Sequence, residues 1–235
     1  MVTAAIHQPH YLPYPGLLDK IARADLVIWL DNAAFARGGW HNRNRIKTGH
    51  GPLTLTAPVR RAPLGTPITD VHLATTPWQA KHATTIRQAY AHAPHLDALT
   101  PLLDDLYSRP YATLGALNAA SCAHLLAAFG IRTPALAASD LGPVGSAKSA
   151  RLAELCRRAG ADTYLAGDGS AAYLDPRAFA DAGITLCWQG YRPPAYRQLH
   201  GRHGHIDHLS AADLLANTGP GALNTLLARD AGAAT

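Results

Sequence analysis

Short apolar runs and longer helical patterns alternate along this chain. The runs at residues 3–7 and 26–30 have the length and composition of buried strands. Between them, Leu17, Leu18 and Ile21 form one face of a two-turn helix, with Asp19, Lys20 and Arg23 outside that face. Further strands are predicted at residues 53–59, 133–138, 163–166 and 184–188, with a short extended piece at 68–73 inside a loop. Further helices are predicted at 149–160, 176–182, 211–217 and 223–229.

The apolar spacing becomes continuously helical after residue 76. Helical patterns cover residues 78–90, 96–107 and 111–129, and prolines separate them. This stretch predicts a helical layer inserted at about residues 76–130. The alternation of strands and helices elsewhere predicts an α/β fold with a mostly parallel, Rossmann-like sheet of about five strands flanked by helices. We expect one domain over residues 1–235.

Composition narrows the class of protein. An apolar fraction of 48% and a charged fraction of 16% are typical of a globular protein, and the net charge of +5 comes without a basic run or a standard nucleic-acid motif. No segment has the length of a membrane span. Cys122, Cys156 and Cys187 form no CxxC pair, fit a reducing compartment and lie in patterns typical of buried residues. We therefore expect a cytoplasmic protein that binds no nucleic acid.

Two polar loops follow the first two predicted strands. His7, Gln8 and His10 follow the first strand, and Asp31 ends the second, before a loop at residues 32–51 that carries an amide and basic cluster. If the two strands are parallel neighbours, both loops leave the carboxyl edge of the sheet, where open α/β sheets bind their ligands. The two loops would then face one cleft.

The residue types in these loops suit proton transfer and anion binding. An imidazole titrates near neutral pH and serves as a general base, although a histidine in a proline-rich turn can also cap a backbone group. Asn42, Arg43, Asn44 and Lys47 can hold a carboxylate or phosphate through paired donors. They can equally clamp the backbone or form a solvated rim.

A histidine-rich run near the C-terminus has the composition of a metal site. Residues 203–208 spell HGHIDH, the HxHxDH motif of metallo-β-lactamase-fold hydrolases. In that fold, further metal ligands follow the motif, whereas residues 209–235 contain no histidine. A metal-dependent hydrolase is therefore an alternative interpretation, and we predict no metal site.

Residues spread over nearly the full length of the chain resemble the WbqC-like protein family. The matching positions are His7, Gln8, Pro9, Tyr11, Pro13, Gly16, Asp19, Lys20, Asp25, Asp31, Asn42, Arg43, Asn44, Ile46, Lys47, Lys81, His82, Ile86, Tyr90, Ser149, Arg151, Leu152, Tyr164, Gly167, Tyr173, Leu174, Tyr196, Gln198, Leu209, Ser210, Asp213, Leu214, Leu215 and Asn217. The sequence departs from the common pattern at Ala33 and Ala34, where a polar side chain is usual.

The resemblance implies aminoacyl or acyl transfer, of the glycine type, in polysaccharide or specialised-metabolite biosynthesis. The predicted catalytic residues are His7, His10 and Asp31. The predicted substrate-binding residues are Gln8, Tyr11, Asn42, Arg43, Asn44, Lys47, His82 and Tyr196. The partners would be a small-molecule donor and acceptor, with a carrier protein as one means of presenting the donor. A non-catalytic ligand- or carrier-binding protein is a second alternative, and the sequence specifies neither a cofactor nor an oligomeric state.

Overall fold

The computed structural model describes residues 1–146 and 148–228, which group into two compact units. The sheet unit comprises Met1–Gln8, Asp19–Ala33 and Arg132–Tyr191, and the helical unit comprises Pro9–Leu18, Ala34–Ile131 and the described part of Arg192–Thr235. The single domain expected from the sequence stays a prediction.

Seven strands and eight α-helices make up the described chain. The strands are β1 Thr3–His7, β2 Leu26–Trp29, β3 Arg43–Thr48, β4 Gly51–Thr56, β5 Ala135–Ala137, β6 Thr163–Ala166 and β7 Thr185–Trp188. The helices are α1 Pro15–Ala22, α2 Trp78–Ala89, α3 Leu96–Ser108, α4 Leu114–Ala128, α5 Lys148–Arg158, α6 Pro176–Asp181, α7 Ala211–Thr218 and α8 Ala222–Leu227. The helix predicted at 223–229 ends in Arg229, which lies outside the described residues.

The sheet unit contains a five-stranded, all-parallel sheet in the order β5-β2-β1-β6-β7. The predicted parallel pairing of β1 with β2 is confirmed, with Ala5 opposite Val27. The chain proceeds from β1 to β2 and β5 on one side, then returns to β6 and β7 on the other. The order of the strands therefore reverses between β1 and β6, and such switch points are where parallel sheets bind ligands. The predicted α/β fold class is confirmed.

The core of the sheet unit consists of small and branched side chains from the strands, packed against helices. Ala4 and Ile6 of β1 are buried, and Tyr164 of β6 stacks on Phe179 of α6 with ring centroids 5.2 Å apart. Strands with apolar side chains on both faces are expected where helices cover the sheet. Cys156 is buried as predicted, but Cys187 is exposed because β7 is an edge strand of this sheet.

The helical unit confirms the inserted helical layer. Helix α3 packs against α2, α4 and α7. Helix α4 begins at Leu114, not at the predicted residue 111, because the Thr113 side chain accepts a hydrogen bond from Ala116 N and so caps the helix. None of the helices in the described part of the chain combines the length and the apolar composition that crossing a membrane requires.

The prediction of a loop throughout residues 32–51 is wrong, because β3 pairs there with β4 as an antiparallel hairpin. Gly51, at φ +102°, adopts a backbone conformation that glycine tolerates best, and it pairs with Thr48 across a two-residue turn. The buried positions of β3 include Asn44 and Lys47, so the strand lacks the apolar alternation that marks most strands. The extended segment expected at 68–73 is also wrong in part, since Ile68–Asp70 form a 3-10 helix.

Candidate functional site

Three of the predicted site residues lie at the carboxyl edge of the parallel sheet in the sheet unit. His7 is the last residue of β1 and Gln8 follows it, while Asp31 lies two residues beyond β2. Because β1 and β2 are adjacent and parallel, the sheet brings the ends of both strands to the same edge. The remaining predicted site residues belong to the helical unit. The single cleft expected to hold both polar loops stays a prediction.

The hydrogen bond of His7 fixes its neutral tautomer. Nδ1 of His7 lies 2.8 Å from the backbone oxygen of Gln8. A carbonyl oxygen only accepts, so Nδ1 must carry the proton and Nε2 holds the ring's lone pair. The bond also sets the orientation of the ring, and the catalytic role expected for His7 stays a prediction.

Asp31 is held by the segment that follows β5. Its Oδ1 accepts from Ser139 N at 3.1 Å and its Oδ2 from Ser139 Oγ at 2.6 Å. These two bonds fix the plane of the carboxylate at the end of β2.

Lys20 is a buried amine that the sequence pattern placed outside the apolar face of its helix. That prediction is wrong for both Lys20 and Asp19, which are 3% and 2% exposed. Lys20 Nζ donates to Ile6 O at 2.9 Å, and Asp19 accepts from Gln189 Nε2 at 2.7 Å and from Arg23 Nε at 2.8 Å. Burial lowers the pKa of Lys20 to about 7. In the sequence, these two residues stood out only because they are among the positions that match the WbqC-like family.

A cleft of about 390 Å³ adjoins the ends of β2 and β5 in the sheet unit. Lys148 and Arg151 of α5 line it together with Asn32, whose Oδ1 accepts from Arg151 Nη2 at 2.5 Å. Two cationic side chains in a cleft of this size suit a small anionic ligand. The sequence analysis named Arg151 only among the positions of the family resemblance, and the glycines that precede Lys148 in the sequence were the other signal for this cleft.

Within the helical unit, Tyr11 and His82 form one hydrogen-bonded group. The Tyr11 hydroxyl lies 2.8 Å from His82 Nδ1 and 2.5 Å from the Tyr107 hydroxyl, and Tyr11 is fully buried. Burial, with a smaller effect from the charge of Lys81, lowers the pKa of His82 to about 4. His82 is therefore neutral at physiological pH.

The asparagines of the basic cluster hold backbone carbonyl groups in the helical unit. Asn42 Nδ2 donates to Ala57 O at 2.8 Å, and Asn44 Nδ2 donates to Leu12 O at 2.5 Å. The Arg43 guanidinium donates to Gly38 O and lies over the Trp40 ring, 5.6 Å from its centroid. These contacts are of the backbone-clamping kind. A substrate-binding role for these three residues stays a prediction.

Lys47 and Tyr196 belong to a second buried group in the helical unit. Lys47 Nζ donates to Gln198 Oε1 at 3.1 Å, and Asp213 accepts from the hydroxyls of Tyr90 at 2.8 Å and Tyr196 at 2.7 Å. Burial lowers the pKa of Lys47, an effect that the Asp213 charge opposes, and burial raises the pKa of Asp213. Each named side chain has a polar partner inside the unit, and a substrate-binding role for Lys47 and Tyr196 stays a prediction.

His10 lies beside a histidine that the sequence interpretation had not singled out. The rings of His10 and His41 are 5.5 Å apart, and the His10 carbonyl accepts from Cys122 Sγ at 3.4 Å. Burial lowers the pKa of His41. The catalytic role expected for His10 stays a prediction.

The side chains of the histidine-rich run have separate partners. His203 Nε2 lies 3.0 Å from Gly49 O, His205 Nε2 lies 3.4 Å from Asp207 Oδ1, and the His208 ring is 6.2 Å from that of Tyr14. Across residues 1–146 and 148–228, no three His, Cys, Asp or Glu side chains form a group that could hold a metal ion. The geometry therefore gives the metal-dependent hydrolase no support.

The fold and the carboxyl-edge residues define an α/β protein with a parallel sheet, and comparison with known proteins identifies its family. The model of the WbqC-like protein family matches residues 8–225. The uncharacterized protein Rv1507c of Mycobacterium tuberculosis (strain ATCC 25618 / H37Rv) is 33% identical over 224 residues, covering 93% of this chain and 95% of the mycobacterial protein. No solved structure gives a significant match. The chain belongs to the WbqC-like protein family, as the resemblance predicted.

Proposed function

We propose that this protein is a small-molecule aminoacyl or acyl transferase of the glycine type, acting in polysaccharide or specialised-metabolite biosynthesis. It would join an activated acyl group to an amine or hydroxyl of an acceptor, forming an amide or ester. Membership of the WbqC-like family and the polar groups at the carboxyl edge of the sheet unit support this proposal.

The observation that carries the proposal is the tautomer of His7. With Nδ1 bonded to the Gln8 carbonyl, Nε2 removes a proton from the acceptor as its nitrogen or oxygen attacks the acyl carbon. The bond between that carbon and the leaving group then breaks, and His7 returns the proton to the leaving group. The proton taken from the acceptor ends on the leaving group, so the reaction needs no further proton donor or acceptor.

The neighbouring groups have supporting roles in this proposal. The Asp31 carboxylate, held by Ser139, attracts an ammonium group or orients the acceptor. Lys20 is a positioning residue, because its bond to Ile6 O holds the end of β1 next to His7. Lys148 and Arg151 receive an anionic part of the donor or acceptor in the cleft that they line.

Product formation from three classes of activated glycine tests the proposal. Hydroxylamine and amino sugars serve as acceptors, and glycine is offered with ATP, as a thioester and as glycyl-tRNA, with products measured by mass spectrometry. We expect product from one donor class, and a fall in kcat of about 10²- to 10⁴-fold for His7→Ala. The matched control is His50→Ala, since His50 is an exposed histidine of the helical unit and should leave kcat unchanged.

Two results would contradict the proposal in different ways. Wild-type activity in both His7→Ala and Asp31→Asn would remove these residues from the mechanism. Absence of product with all three donors, together with measurable affinity for one of them, would favour the non-catalytic ligand- or carrier-binding protein.

We also propose a reducing, cytoplasmic setting. All three cysteines lie within the described residues and are free thiols. The partners would be the small-molecule donor and acceptor, with the donor either free or attached to a carrier protein.

A further inference from the structure

The positive charge of this protein is concentrated in one segment of the helical unit. Residues 34–69 contain five arginines and one lysine but no aspartate or glutamate. These six cations exceed the net charge of +5 of the whole chain, so the remaining sequence is close to neutral. The lysine, Lys47, is buried, and the cations that this segment presents to solvent are therefore arginines. A local excess of one charge sign attracts partners of the opposite sign.

The outer face of the β3–β4 hairpin carries two of these arginines. Arg43 and Arg45 alternate with buried residues along β3, so both side chains lie on the face that points away from the interior. Their partners across the hairpin, Thr56 and Thr54, are exposed on the same face. The ring of Trp40 is 48% exposed, and the two guanidiniums lie 5.6 and 5.9 Å from its centroid.

Arg37 extends this cationic surface beyond the hairpin. Its guanidinium donates to Ala62 O at 3.0 Å, and the next residue, Gly38, supplies the carbonyl that accepts from Arg43. The side chain of Arg37 is itself exposed. We give the name arginine surface to Arg37, Trp40, Arg43 and Arg45.

The charge of the arginine surface is not neutralised within the protein. No acidic side chain among the described residues forms an ion pair with one of its arginines. Arg45 donates to the backbone oxygen of Asp207 at 3.2 Å, whereas the Asp207 carboxylate lies 3.4 Å from His205 Nε2. Backbone carbonyls thus hold the guanidiniums in place and leave their charge available. Because these side chains are already held, they lose less conformational freedom when a partner binds.

The residue types of the arginine surface favour a protein partner over a nucleic acid. Arginine and tryptophan are enriched in protein–protein interfaces, and lysine is depleted there. A nucleic-acid base would need the face of Trp40 for stacking, and two guanidiniums already lie over that ring. An acidic protein surface can instead offer a carboxylate to each guanidinium.

We propose that the arginine surface docks the acidic face of a carrier protein that presents the activated donor. Carboxylates of the carrier pair with Arg37, Arg43 and Arg45, and an apolar side chain of the carrier packs on Trp40. That the partner presents the donor rests on the proposed transferase function, whereas the docking of an acidic carrier can be measured without any reaction.

Fluorescence anisotropy measures this docking directly. The probe is a free-standing carrier protein of strongly negative net charge, labelled on its phosphopantetheine thiol. The comparison ligands are the same carrier with its surface glutamates changed to glutamine, bulk tRNA, and vesicles that contain phosphatidylserine. We expect saturable binding of the acidic carrier that weakens as salt is added, because salt screens charges at a surface. Each comparison ligand should bind at least about tenfold more weakly.

Paired variants separate docking from a general effect of charge. Arg43→Gln/Arg45→Gln removes two cations of the arginine surface and should raise the Kd of the acidic carrier about tenfold. The matched control, Arg132→Gln/Arg177→Gln, removes two exposed arginines of the sheet unit and should leave the Kd within about twofold. Arg37→Gln changes one exposed side chain and should also weaken binding, with an unchanged Tm.

Steady-state kinetics connects the docking to the transfer reaction. With glycine offered on the carrier, Arg37→Gln should raise KM about threefold and leave kcat unchanged, because docking precedes the chemical step. With glycine offered as a small N-acetylcysteamine thioester, both constants should match those of the wild type. If no donor yields product, the transferase proposal fails, while the Kd values still decide whether the carrier docks.

Four results would overturn the docking proposal. The first is the absence of saturable binding of the acidic carrier, and the second is equal affinity for the acidic carrier and its glutamine version. The third is a loss of affinity in Arg132→Gln/Arg177→Gln as large as that in Arg43→Gln/Arg45→Gln. The fourth is tighter binding of tRNA or vesicles than of the carrier, which would assign the arginine surface to a nucleic acid or a membrane.

Discussion

At the residue scale, buried amines depend on acceptors that lie elsewhere along the sequence. Lys20 is 3% exposed, and the partner of its amine is the carbonyl of Ile6. Lys47, fully buried, donates to Gln198. A buried charge destabilises a fold unless it is paired or neutralised, so each of these side chains should influence stability in a pH-dependent way.

Substituting Lys20 by methionine should make the free energy of unfolding less dependent on pH. The folded pKa of Lys20 is about 7, below its ordinary value of 10.5. Between these values the unfolded chain binds a proton that the folded chain has released, so the stability of the wild type rises with pH. Below pH 7 the amine is charged in both states and the burial penalty is fully present.

We therefore expect the Lys20→Met variant to have a larger free energy of unfolding than the wild type at pH 6. This difference should shrink by up to about 5 kcal/mol towards pH 10.5. Urea unfolding at several pH values measures the difference. Lys81→Met, which changes an exposed lysine, serves as the control. If Lys20→Met changed the free energy of unfolding by the same amount at every pH, as we expect for Lys81→Met, the pKa of Lys20 would not be lowered in the folded protein.

At the element scale, α4 approaches the 3-10 helix Ile68–Asp70 more closely than a side chain permits. A Cβ atom on Gly115 would lie 2.9 Å from Thr69 Cα and 3.3 Å from Ile68 O. Both are backbone atoms, so neither can move aside by rotating a bond. Glycine at this position is therefore needed for packing, even though glycine lowers helix propensity.

Gly115→Ala should consequently lower the free energy of unfolding by about 1–3 kcal/mol, as overpacked sites do. Thermal or urea unfolding measures the loss. Gly221→Ala is the matched control, because a Cβ atom there meets nothing within 4 Å. We expect its effect to be within about 0.5 kcal/mol. If the two variants were equally stable, α4 and the 3-10 helix Ile68–Asp70 could move apart without lowering the free energy of unfolding.

At the scale of the whole molecule, the three cysteines allow burial to be measured in both units, because the reactivity of a thiol depends on its exposure. Cys122 is buried in the helical unit, whereas the sheet unit contains buried Cys156 and exposed Cys187. Burial raises the pKa of both buried thiols to about 12, which suppresses the reactive thiolate.

A thiol reagent such as DTNB should therefore titrate one cysteine rapidly in the native protein and all three in guanidinium chloride. Cys187→Ser should abolish the rapid phase, and dithiothreitol should leave the Tm unchanged because the cysteines are free thiols. Rapid reaction of two or three thiols under native conditions would contradict the burial of Cys122 or Cys156.

The strands and helices of this protein were predictable because their signals are local. The apolar run at 26–30 became β2, the helical spacing at 149–160 became α5, and the predicted strand 163–166 has the bounds of β6. The failure at β3 also has a local cause. Two of its three buried positions, Asn44 and Lys47, are polar, so the strand lacks the alternation of apolar and polar side chains on which the prediction depends.

By itself, the sequence determined the fold class, the family and the residue types available for chemistry, because periodicity and motif spacing lie within short stretches of chain. Only the tertiary structure decided which polar groups are buried and what they contact. Lys20 looked exposed until Ile6 supplied its acceptor, and the contact of His203 with Gly49 could not be read from the sequence. Ile6 lies 14 residues from Lys20 and Gly49 lies 154 residues from His203, and folding alone brings these groups within hydrogen-bond reach.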